Sequence, residues 1–402
     1  MNILILNCGS SSIKYKLFKM DQNTVLARGV VERIGLTGSQ LRYRAGGKND
    51  LVDAKPVPGH REALEMILQT LISGGHGVIG NLKEIDAVGH RVVHGGEYFQ
   101  QPVAVDNNVL ELLEECSQLA PLHNPPNIMG IKVCRQLIPH AAQVAVFDTA
   151  FHQTIPDYAY MYAIPYKYYR EHKIRKYGFH GTSHKYVSRR AAELADETVK
   201  KLKIITCHLG NGASLCAIDG DRSVDTTMGF TPLAGVIMGT RCGDVDPAIV
   251  DYMSGIEGIT GAEVLEILNK HSGVLGLSGL SSDFRDLEQA ALEGHPRARL
   301  ALDMFIYSIA KNIGALIAAL GGLDALVFTA GIGENSPGVR AGICSKLNYM
   351  GILLDDGKNS TSGEETLIST SDSLVQVFVI PTDEEKMIAE ETKTAASNLT
   401  YK

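Results

Sequence analysis

The chain has 402 residues, 45% of them hydrophobic and 21% charged, which is ordinary for a globular protein but too long for one core. A net charge of −7 argues against a nucleic-acid surface as the main function. Its seven dispersed cysteines include no Cys-x-x-Cys pair, which favours reduced thiols in the cytoplasm over a disulfide framework or a zinc site. We therefore expect two domains in a cytoplasmic protein.

Neither a targeting segment nor a membrane span is expected. Met1 leads almost directly into an apolar strand, which leaves no room for a signal peptide. The longest charge-free apolar stretch, Ile313 to Leu323, is too short to span a bilayer. The sequence therefore predicts a soluble protein that does not act at a membrane.

The N-terminal segment predicts strands over residues 3–7, 13–18 and 25–31, and the first two flank a turn with the sequence NCGSSSIK at residues 7–14. Glycine and three serines would let backbone N–H groups approach an anion closely, and Lys14 adds positive charge. We predict a phosphate-binding hairpin, with an ordinary serine–glycine turn as the alternative interpretation.

Further elements follow in the first part of the chain. Apolar residues between 63 and 71 recur with helical spacing, and residues 85–89 predict a strand. That strand leads into a glycine-rich loop, HRVVHGG, at residues 90–96. A buried strand over residues 143–147 ends at Asp148, where a carboxylate could hold a metal shell, orient a substrate or cap a turn.

A second block begins near residue 150, and its elements are again predicted in chain order. They are a loop, KYGFHGTSH, at 176–184, a helix over 185–194, a strand over 203–207, a turn, HLGNGAS, at 208–214, a strand over 215–218, helices near 262–270 and 297–320, a strand over 324–328, a loop, TAGIGEN, at 329–335, and a helix over 383–396.

Residues 203–218 repeat the design of residues 3–18, since each segment reads as an apolar strand, a turn of small polar residues and a second apolar strand. We interpret this as an internal duplication with one hairpin per domain. Two such turns facing each other would grip a polyphosphate from both sides. The alternative is that any two hairpins look alike.

Other phosphate-binding motifs are excluded. No Gly-x-x-x-x-Gly-Lys-[Ser/Thr] occurs, so the chain is not a P-loop protein. The sequence GHGVIG at residues 75–80 follows a helical pattern instead of a strand, so it does not predict a dinucleotide site. No catalytic loop of the protein-kinase type is present.

Taken together, the motifs NCGSSSIK, HLGNGAS and TAGIGEN resemble those of the acetate and propionate kinase family, within the sugar kinase, Hsp70 and actin superfamily. The resemblance covers essentially the whole chain. It departs from the family pattern at Cys8 and Cys242, where other small residues are common, and at Ala330, where a glycine often stands. The other segments that carry it are HRVVHGG (90–96), PLHN (121–124), VFDTAFH (146–152), YGFHGTSH (177–184), MGFTPL (228–233), GTRCGD (239–244), LSSDFR (280–285) and PTDEE (381–385).

The resemblance implies an α/β fold of two duplicated ribonuclease H-like, actin-type ATPase domains of βββαβαβα type around a central cleft. Residues 1–150 plus about 385–402 would form the N-terminal domain, with the acyl substrate side, the first hairpin and a returning C-terminal helix. Residues 151–384 would form the nucleotide-binding domain with the face of a homodimer.

The implied reaction is the reversible, Mg²⁺-dependent transfer of the γ-phosphoryl group of ATP to acetate, giving acetyl phosphate and ADP by direct in-line displacement. Mn²⁺ is an alternative metal. A propionate or butyrate kinase of the same family is the nearest alternative. An Hsp70-like or actin-like ATPase is the alternative from another class. A sugar kinase is disfavoured because it would need polar groups to bind the sugar hydroxyls, whereas Val93, Leu122, Phe179 and Pro232 are apolar.

Four residues are implied as catalytic. Arg91 and Arg241 would clamp the carboxylate and the migrating phosphoryl group with their planar guanidinium forks, although a surface salt bridge is the alternative for each. Asp148 would position the substrate or the metal, because acetate is already ionised and needs no general base. His180 would donate a hydrogen bond to the transferring group. His123 is a weaker candidate, and His152 and His184 are interpreted as structural.

The resemblance also implies the binding residues. Glu384 and Asn7 would hold the metal, directly or through water, although Glu384 also suits a helix start. An apolar pocket for the methyl group would be lined by Val93, Leu122, Phe179 and Pro232, all of which could equally be core residues. Val93 favours acetate over longer acids. The implied nucleotide-binding residues are Ser10, Ser12, Lys14, His208, Leu209, Gly210, Asn211, Gly212, Asp283, Phe284, Arg285, Gly331, Ile332, Gly333, Glu334 and Asn335.

Overall fold

The computed structural model describes residues 1–47 and 50–398. The chain divides into two compact units, one made of Met1–Ala150 with Asp383–Lys402 and the other of Phe151–Thr382. Residues 399–402, which the expected N-terminal domain includes, lie outside the described residues.

The first unit is built on an eight-stranded sheet. Strand β1 and its parallel neighbour lie at the centre, and Ile3 to Leu6 are almost fully buried because both faces of this part of the sheet are covered. The elements up to the end of this sheet are β1 (Asn2–Cys8), β2 (Ser12–Lys19), β3 (Thr24–Glu32), β4 (Gln40–Ala45), β5 (Leu51–Ala54), α1 (His60–Ile72), β6 (Ala87–Val92), β7 (Val103–Ala104), α2 (Asn107–Cys116), α3 (Asn124–Leu137) and β8 (Ala142–Phe147).

The second unit is built on a six-stranded sheet. After it the chain ends in α15, which belongs to the first unit. The remaining elements are α4 (Asp157–Tyr160), α5 (Lys167–His172), α6 (Gly181–Leu194), β9 (Lys203–Leu209), β10 (Ala213–Asp219), β11 (Arg222–Thr226), α7 (Ala248–Glu257), α8 (Gly261–Lys270), α9 (Gly273–Ser278), α10 (Phe284–Leu292), α11 (Pro296–Leu320), β12 (Ala325–Thr329), α12 (Ala330–Asn335), α13 (Pro337–Ser345), α14 (Asp356–Asn359), β13 (Thr366–Leu367), β14 (Gln376–Val379) and α15 (Glu384–Ser397).

The two sheets share one topology, except that the first has two additional antiparallel strands, β4 and β5. The first runs β5-β4-β3-β2-β1-β6-β8-β7, and the second runs β11-β10-β9-β12-β14-β13. In the first sheet the five sequential strands β1 to β5 pair antiparallel, and in the second the three strands β9 to β11 do so. In each sheet two more strands add in parallel, and an edge strand that precedes the last parallel strand in sequence closes the sheet antiparallel. The expected α/β fold of two duplicated ribonuclease H-like units is confirmed.

Each sheet is covered by a helix that follows the other sheet in the chain. Helix α6 follows β8 in sequence but packs on β9 and β12. Helix α15 follows β14 but packs on β1, β6 and β8, where Ile388 and Ala389 join Ile3 and Ile5 in one buried cluster. Helices α1 and α3 cover the opposite face of the first sheet. The C-terminal segment is therefore part of the first unit's core.

Three local predictions were wrong. Arg91 lies on strand β6 instead of in the loop that follows, since pairing with β8 extends to Val92. His208 and Leu209 complete strand β9, which leaves a turn of only residues 210–212. Residues 330–335, predicted as a loop, form helix α12. In each case long-range pairing or packing overrides the glycine-rich local sequence.

The longest helix corrects the expectation about membrane spans. Helix α11 is long and apolar enough to cross a membrane by length and composition alone, although 39% of its apolar window is buried inside the structure. It packs against α9, α10 and α13 and against strands β10 and β11. These contacts account for its buried apolar residues, so the helix contributes to the core of the second unit.

Candidate active site

The first hairpin turn is held by side chains from distant parts of the first unit. Gly9 N donates to Ser12 O over 2.8 Å, which closes the turn between β1 and β2. His60 Nε2 donates to Gly9 O (2.7 Å), and Asn127 Nδ2 donates to Cys8 O (2.6 Å). These bonds fix the turn carbonyls, so the small residues of the motif are presented in one conformation.

Across this hairpin, Asn7 and Lys14 are direct partners in the antiparallel register. Asn7 is half-buried and Lys14 is exposed, as is Ser10 at the tip of the turn, while Ser12 is half-buried. The expected metal-binding amide and the expected phosphate-binding cation therefore lie side by side at one end of the sheet.

A cluster of charges lies in the same unit around Arg91. Its Nε donates to Asp148 Oδ1 (2.9 Å) and its Nη2 donates to Asp148 Oδ2 (2.6 Å), a two-point ion pair. Burial by itself would lower the pKa of Arg91, but Asp148, Glu384 and Glu385 together raise that pKa above its ordinary value. The arginine is therefore a permanent cation among carboxylates.

Glu384 is the first residue of α15 and belongs to the same cluster. Burial raises the pKa of its carboxyl; Arg91 acts in the opposite direction, Asp148 and Glu385 raise the pKa further, and Lys14 lowers it. A nearby cation would stabilise the charged form of a carboxylate in such a position.

These residues fit a magnesium ion. Among the described residues, no group of three or more His, Cys, Asp or Glu could hold a metal ion by itself. Magnesium prefers a few oxygen ligands and keeps several waters, and the Asn7 amide and the Glu384 carboxylate are oxygen donors of the kind that it takes. Burial is the main cause of the raised pKa of Glu384, and a bound divalent cation would favour the charged form of this carboxyl.

In the second unit, His180 adopts a left-handed backbone conformation with a φ of 57° directly before α6. For a residue other than glycine this conformation is strained, and such strain is concentrated at functional sites. The His180 ring stacks on His208 at 4.1 Å between centroids, and its Nδ1 lies 2.9 Å from Ser214 Oγ. The ring is therefore held on two sides.

Gly212 marks the point where His180 and Arg241 converge. A Cβ atom at residue 212 would lie 3.2 Å from Arg241 Nη1 and 3.7 Å from His180 Nε2. Both nitrogen-bearing groups thus border the small space beside the second hairpin turn, and a side chain at residue 212 would begin to fill that space.

Arg241 has no counter-ion. Its Nη1 donates to Pro232 O (3.2 Å), and no carboxylate in residues 1–47 or 50–398 pairs with it. Burial lowers the pKa of its guanidinium below the ordinary value. A half-buried cation that contacts a backbone carbonyl and the Met238 sulfur (3.7 Å) but no carboxylate among the described residues is expected to attract an anion.

The loop that carries Arg241 is tied to the second hairpin by Asn211. Gly239 N donates to Asn211 O over 3.0 Å, and a Cβ atom at residue 239 would come within 1.9 Å of Asn211 Oδ1. Only glycine fits there without displacing the amide. Gly239 was not among the expected site residues, although it begins the GTRCGD motif.

A cavity of about 730 Å³ lies in the second unit, a size that suits a nucleotide. Its rim includes Asp283, which accepts from Arg285 Nη2 (2.6 Å) and whose pKa this pairing lowers to about 2. Eight expected nucleotide-binding residues line it together with four that the sequence did not single out. The lining residues are Gly210, Asn211, Ser282, Asp283, Phe284, Arg285, Glu288, Gly331, Ile332, Asn335, Ser336 and Ser362.

Other expected nucleotide-binding residues have supporting positions. Leu209 and Gly333 are buried. Glu334 uses its carboxylate to accept from Thr382 N (3.1 Å). Arg340, which the sequence did not single out, is fully buried and donates to the carbonyls of Gly333 (2.9 Å) and Glu334 (3.1 Å). It thereby holds α12 against the cavity.

The four residues expected to line the acyl pocket differ in exposure. Phe179 is buried, and Val93 and Pro232 are half-buried. Leu122 is 74% exposed, so its side chain is not enclosed in an apolar pocket. Val93 N donates to Asn127 Oδ1 (3.2 Å), so one amide supports both this residue and the first hairpin turn.

Comparison with known proteins agrees with this architecture. The family model described as the acetokinase family matches residues 2–390. An acetate kinase of Thermoanaerobacter pseudethanolicus is 55% identical over 99% of this chain and 100% of its own. The crystal structure of Porphyromonas gingivalis acetate kinase aligns with a TM-score of 0.94 at 48% identity, covering 98% of this chain and 99% of that one. A propionate kinase of Francisella tularensis aligns with a TM-score of 0.91 at 44% identity, with the same coverage.

The duplicated units therefore define a kinase with the actin-like ATPase fold. The chain belongs to the acetokinase family, a family of kinases that transfer phosphate to acetate. The resemblance inferred from the sequence motifs is confirmed.

Proposed function

We propose that the protein catalyses the reversible transfer of the γ-phosphoryl group of ATP to acetate, giving acetyl phosphate and ADP. The observation that carries this proposal is Arg241, a half-buried cation without a carboxylate partner among the described residues, beside His180 and the second hairpin turn. Such a group suits the charge on a phosphoryl group in transfer, for which positioning and charge neutralisation supply most of the catalysis.

The acetate carboxylate attacks the γ-phosphorus directly. It is ionised at neutral pH, so no general base is needed. Arg241 and the His180 ring nitrogen donate to oxygens of the migrating group, where negative charge is spread in the transition state. Asp148 acts through Arg91: its two-point ion pair orients the guanidinium, whose remaining nitrogen can bind a substrate oxygen.

ATP binds with its base and ribose toward the cavity bordered by Asp283, Phe284 and Arg285. In the second unit Asn211 and Gly212 contact the phosphates, and in the first unit Ser10, Ser12 and Lys14 are the proposed phosphate-binding residues. The supporting observation is that both turns are short, rich in small residues and tied down by hydrogen bonds.

Asn7 and Glu384 hold Mg²⁺, with Mn²⁺ as an alternative metal. The ion supplies neutralisation of charge on the ATP phosphates. The protein's part is to present two oxygen ligands beside Lys14, and the charge cluster around Glu384 supports that assignment.

Acetate is the preferred acid because Val93 limits the room for longer chains. One methylene in an apolar pocket changes the activation free energy by about 1–3 kcal/mol, so propionate should react more slowly without being excluded. A propionate kinase of the same family is the second candidate, supported by the close structural likeness to a propionate kinase. Comparing kcat/KM for acetate, propionate and butyrate decides between them: a higher value for propionate would reverse the assignment.

The protein works as a cytoplasmic homodimer. On α7 the apolar side chains Ile249, Tyr252 and Ile256 form an exposed stripe, which suits a partner surface of the second unit. All seven cysteines are free thiols, which suits a reducing compartment. Light scattering on the purified protein tests the dimer, and a mass of one chain would contradict it.

A hydroxamate assay for acyl phosphate, with ATP and Mg²⁺ across short carboxylic acids, tests the reaction itself. We expect the strongest signal with acetate. Arg241→Ala should reduce the signal by about 100-fold or more, whereas Arg222→Ala, an exposed arginine on β11, should not change it. Failure of the wild-type protein to form acyl phosphate with any of the acids would overturn the proposal.

A further inference from the structure

We propose that a chain of hydrogen bonds from Thr206 through His184 and Ser214 fixes His180 in the neutral tautomer that carries its proton on Nε2. Thr206, His184 and Ser214 are then positioning residues for phosphoryl transfer. The inference rests on the proposed function, in which His180 donates a hydrogen bond to the migrating phosphoryl group.

The chain of contacts lies entirely within the second unit. Thr206 Oγ1 on β9 lies 2.7 Å from His184 Nδ1 on α6. The other ring nitrogen of His184, Nε2, lies 2.8 Å from Ser214 Oγ on β10, and this hydroxyl lies 2.9 Å from His180 Nδ1. Thr206, His184 and Ser214 are completely buried, so water does not compete for these bonds.

The direction of donation along these hydrogen bonds is set at Thr206. Burial, reinforced by His152 and His208, holds the pKa of His184 well below its ordinary value, so the ring is neutral and has a single N–H. If that N–H were on Nδ1, the Thr206 hydroxyl would have to accept. Among residues 1–47 and 50–398 its proton would then find no other acceptor. Thr206 therefore donates to Nδ1, and the His184 proton is on Nε2.

Ser214 passes this direction on. Its hydroxyl has one proton and stands between two ring nitrogens, so it can donate to only one of them. Since His184 Nε2 donates to Ser214 Oγ, the serine proton is directed to His180 Nδ1. A neutral His180 must then carry its own proton on Nε2.

This nitrogen is on the side of the ring where a donor is needed. A Cβ atom at Gly212 would lie 3.7 Å from His180 Nε2 and 3.2 Å from Arg241 Nη1, so both groups border the same space. If these hydrogen bonds ran in the opposite direction, Nε2 of a neutral His180 would carry a lone pair that faces this space. That lone pair would repel phosphate oxygens. The hydrogen bonds from Thr206 through His184 and Ser214 to His180, called the relay below, therefore let His180 donate without first becoming charged.

Histidine labelled with ¹⁵N in the intact enzyme reports the tautomer directly, with the His180 signals assigned by their loss in His180→Asn. In the wild type we expect a protonated Nε2 and a hydrogen-bonded, unprotonated Nδ1. Thr206→Val removes the hydroxyl at nearly constant shape and should draw the two His180 ¹⁵N shifts toward each other. Thr206→Ser keeps the hydroxyl and should restore the wild-type shifts. A protonated Nδ1 in the wild type, or unchanged His180 shifts in Thr206→Val, would overturn the proposal.

Kinetics give an independent measurement. Ser214→Ala should lower kcat by about tenfold or more with little change in either KM, because an interaction made in the transition state is weakened. Ser188→Ala is the matched control, since Ser188 is also buried on α6 but donates to Lys185 O outside the relay. Wild-type kcat in Ser214→Ala, in an enzyme that His180→Asn impairs, would overturn the relay and leave the proposed function intact. Wild-type kcat in His180→Asn would overturn the role of His180 and the relay with it.

Discussion

Arg91 and Asp148 form a two-point ion pair in which Nε donates over 2.9 Å and Nη2 over 2.6 Å. The side chain of Asp148 is 3% exposed and that of Arg91 is 23% exposed. None of the described residues accepts a hydrogen bond from Arg91 Nη1, so one edge of the guanidinium remains for a ligand. The pair therefore serves both the stability of the first unit and the orientation of a substrate-binding cation.

Arg91→Ala should lower the free energy of unfolding by about 3–5 kcal/mol, because it leaves Asp148 buried without a partner. The double variant Arg91→Ala/Asp148→Ala should lose less than the sum of the single variants. Urea unfolding measures all of these values. Arg44→Ala is the control, since its ion pair with Asp50 is more than half exposed on both sides and should contribute little to stability. Additive losses at Arg91 and Asp148 would contradict the prediction.

Arg241→Ala should behave differently from Arg91→Ala, since Arg241 has no carboxylate partner among the described residues. We expect a change in unfolding free energy of less than about 1 kcal/mol, because no buried carboxylate loses its partner. Turnover should fall by about 100- to 1,000-fold, because a donor to the migrating group is removed. Parallel unfolding and steady-state measurements separate the two effects; a large loss of stability with normal turnover would reverse this assignment.

Gly239→Ala should impair ATP binding. The added methyl group would come within 1.9 Å of Asn211 Oδ1 and would displace the amide from the second hairpin turn. A misplacement of this size can cost up to about 100-fold in kcat/KM for ATP. Gly75→Ala is the control: it lies in the loop after α1, and nothing lies within 4 Å of its Cβ position. Normal kinetics in Gly239→Ala would show that the amide is not needed in that place.

Acid should destabilise the folded protein through buried histidines. His90 Nε2 donates to Gln143 Oε1 (2.8 Å), and burial lowers the pKa of His90 to about 4, although that hydrogen bond acts in the opposite direction. Between pH 6.5 and about 4 the unfolded chain takes up a proton at this site and the folded chain does not. From this site alone, the unfolding free energy should therefore fall by about 1.4 kcal/mol for each unit by which the pH is lowered between 6.5 and about 4. At neutral pH the stabilising contribution of the neutral His90 is fully present.

Urea unfolding at a series of pH values tests the contribution of His90. His90→Gln should flatten the dependence between pH 6.5 and about 4, by up to about 3 kcal/mol over the whole range. An identical slope in the wild type and the variant would show that His90 is protonated in the folded state as readily as in the unfolded chain.

The hairpin of residues 7–14 and its counterpart after Lys203 could be predicted because turn chemistry is local: small residues between apolar strands select a tight turn wherever they occur. The same reasoning was wrong for residues 330–335, where glycines suggested a loop but Arg340 holds a helical turn through the carbonyls of Gly333 and Glu334. Asn127 was not found because its two partners, Cys8 and Val93, are 119 and 34 residues away.

The sequence by itself determined the family, the duplicated hairpins and most of the residue types that the chemistry needs, because these depend on motifs of neighbouring residues. Only the tertiary structure decided how those residues are used. It paired Arg91 with Asp148, left Arg241 without a carboxylate, and aligned Thr206, His184 and Ser214 behind His180. The physical reason is that pairing, burial and the direction of a hydrogen bond depend on which distant side chains meet, and only the folded chain brings them together.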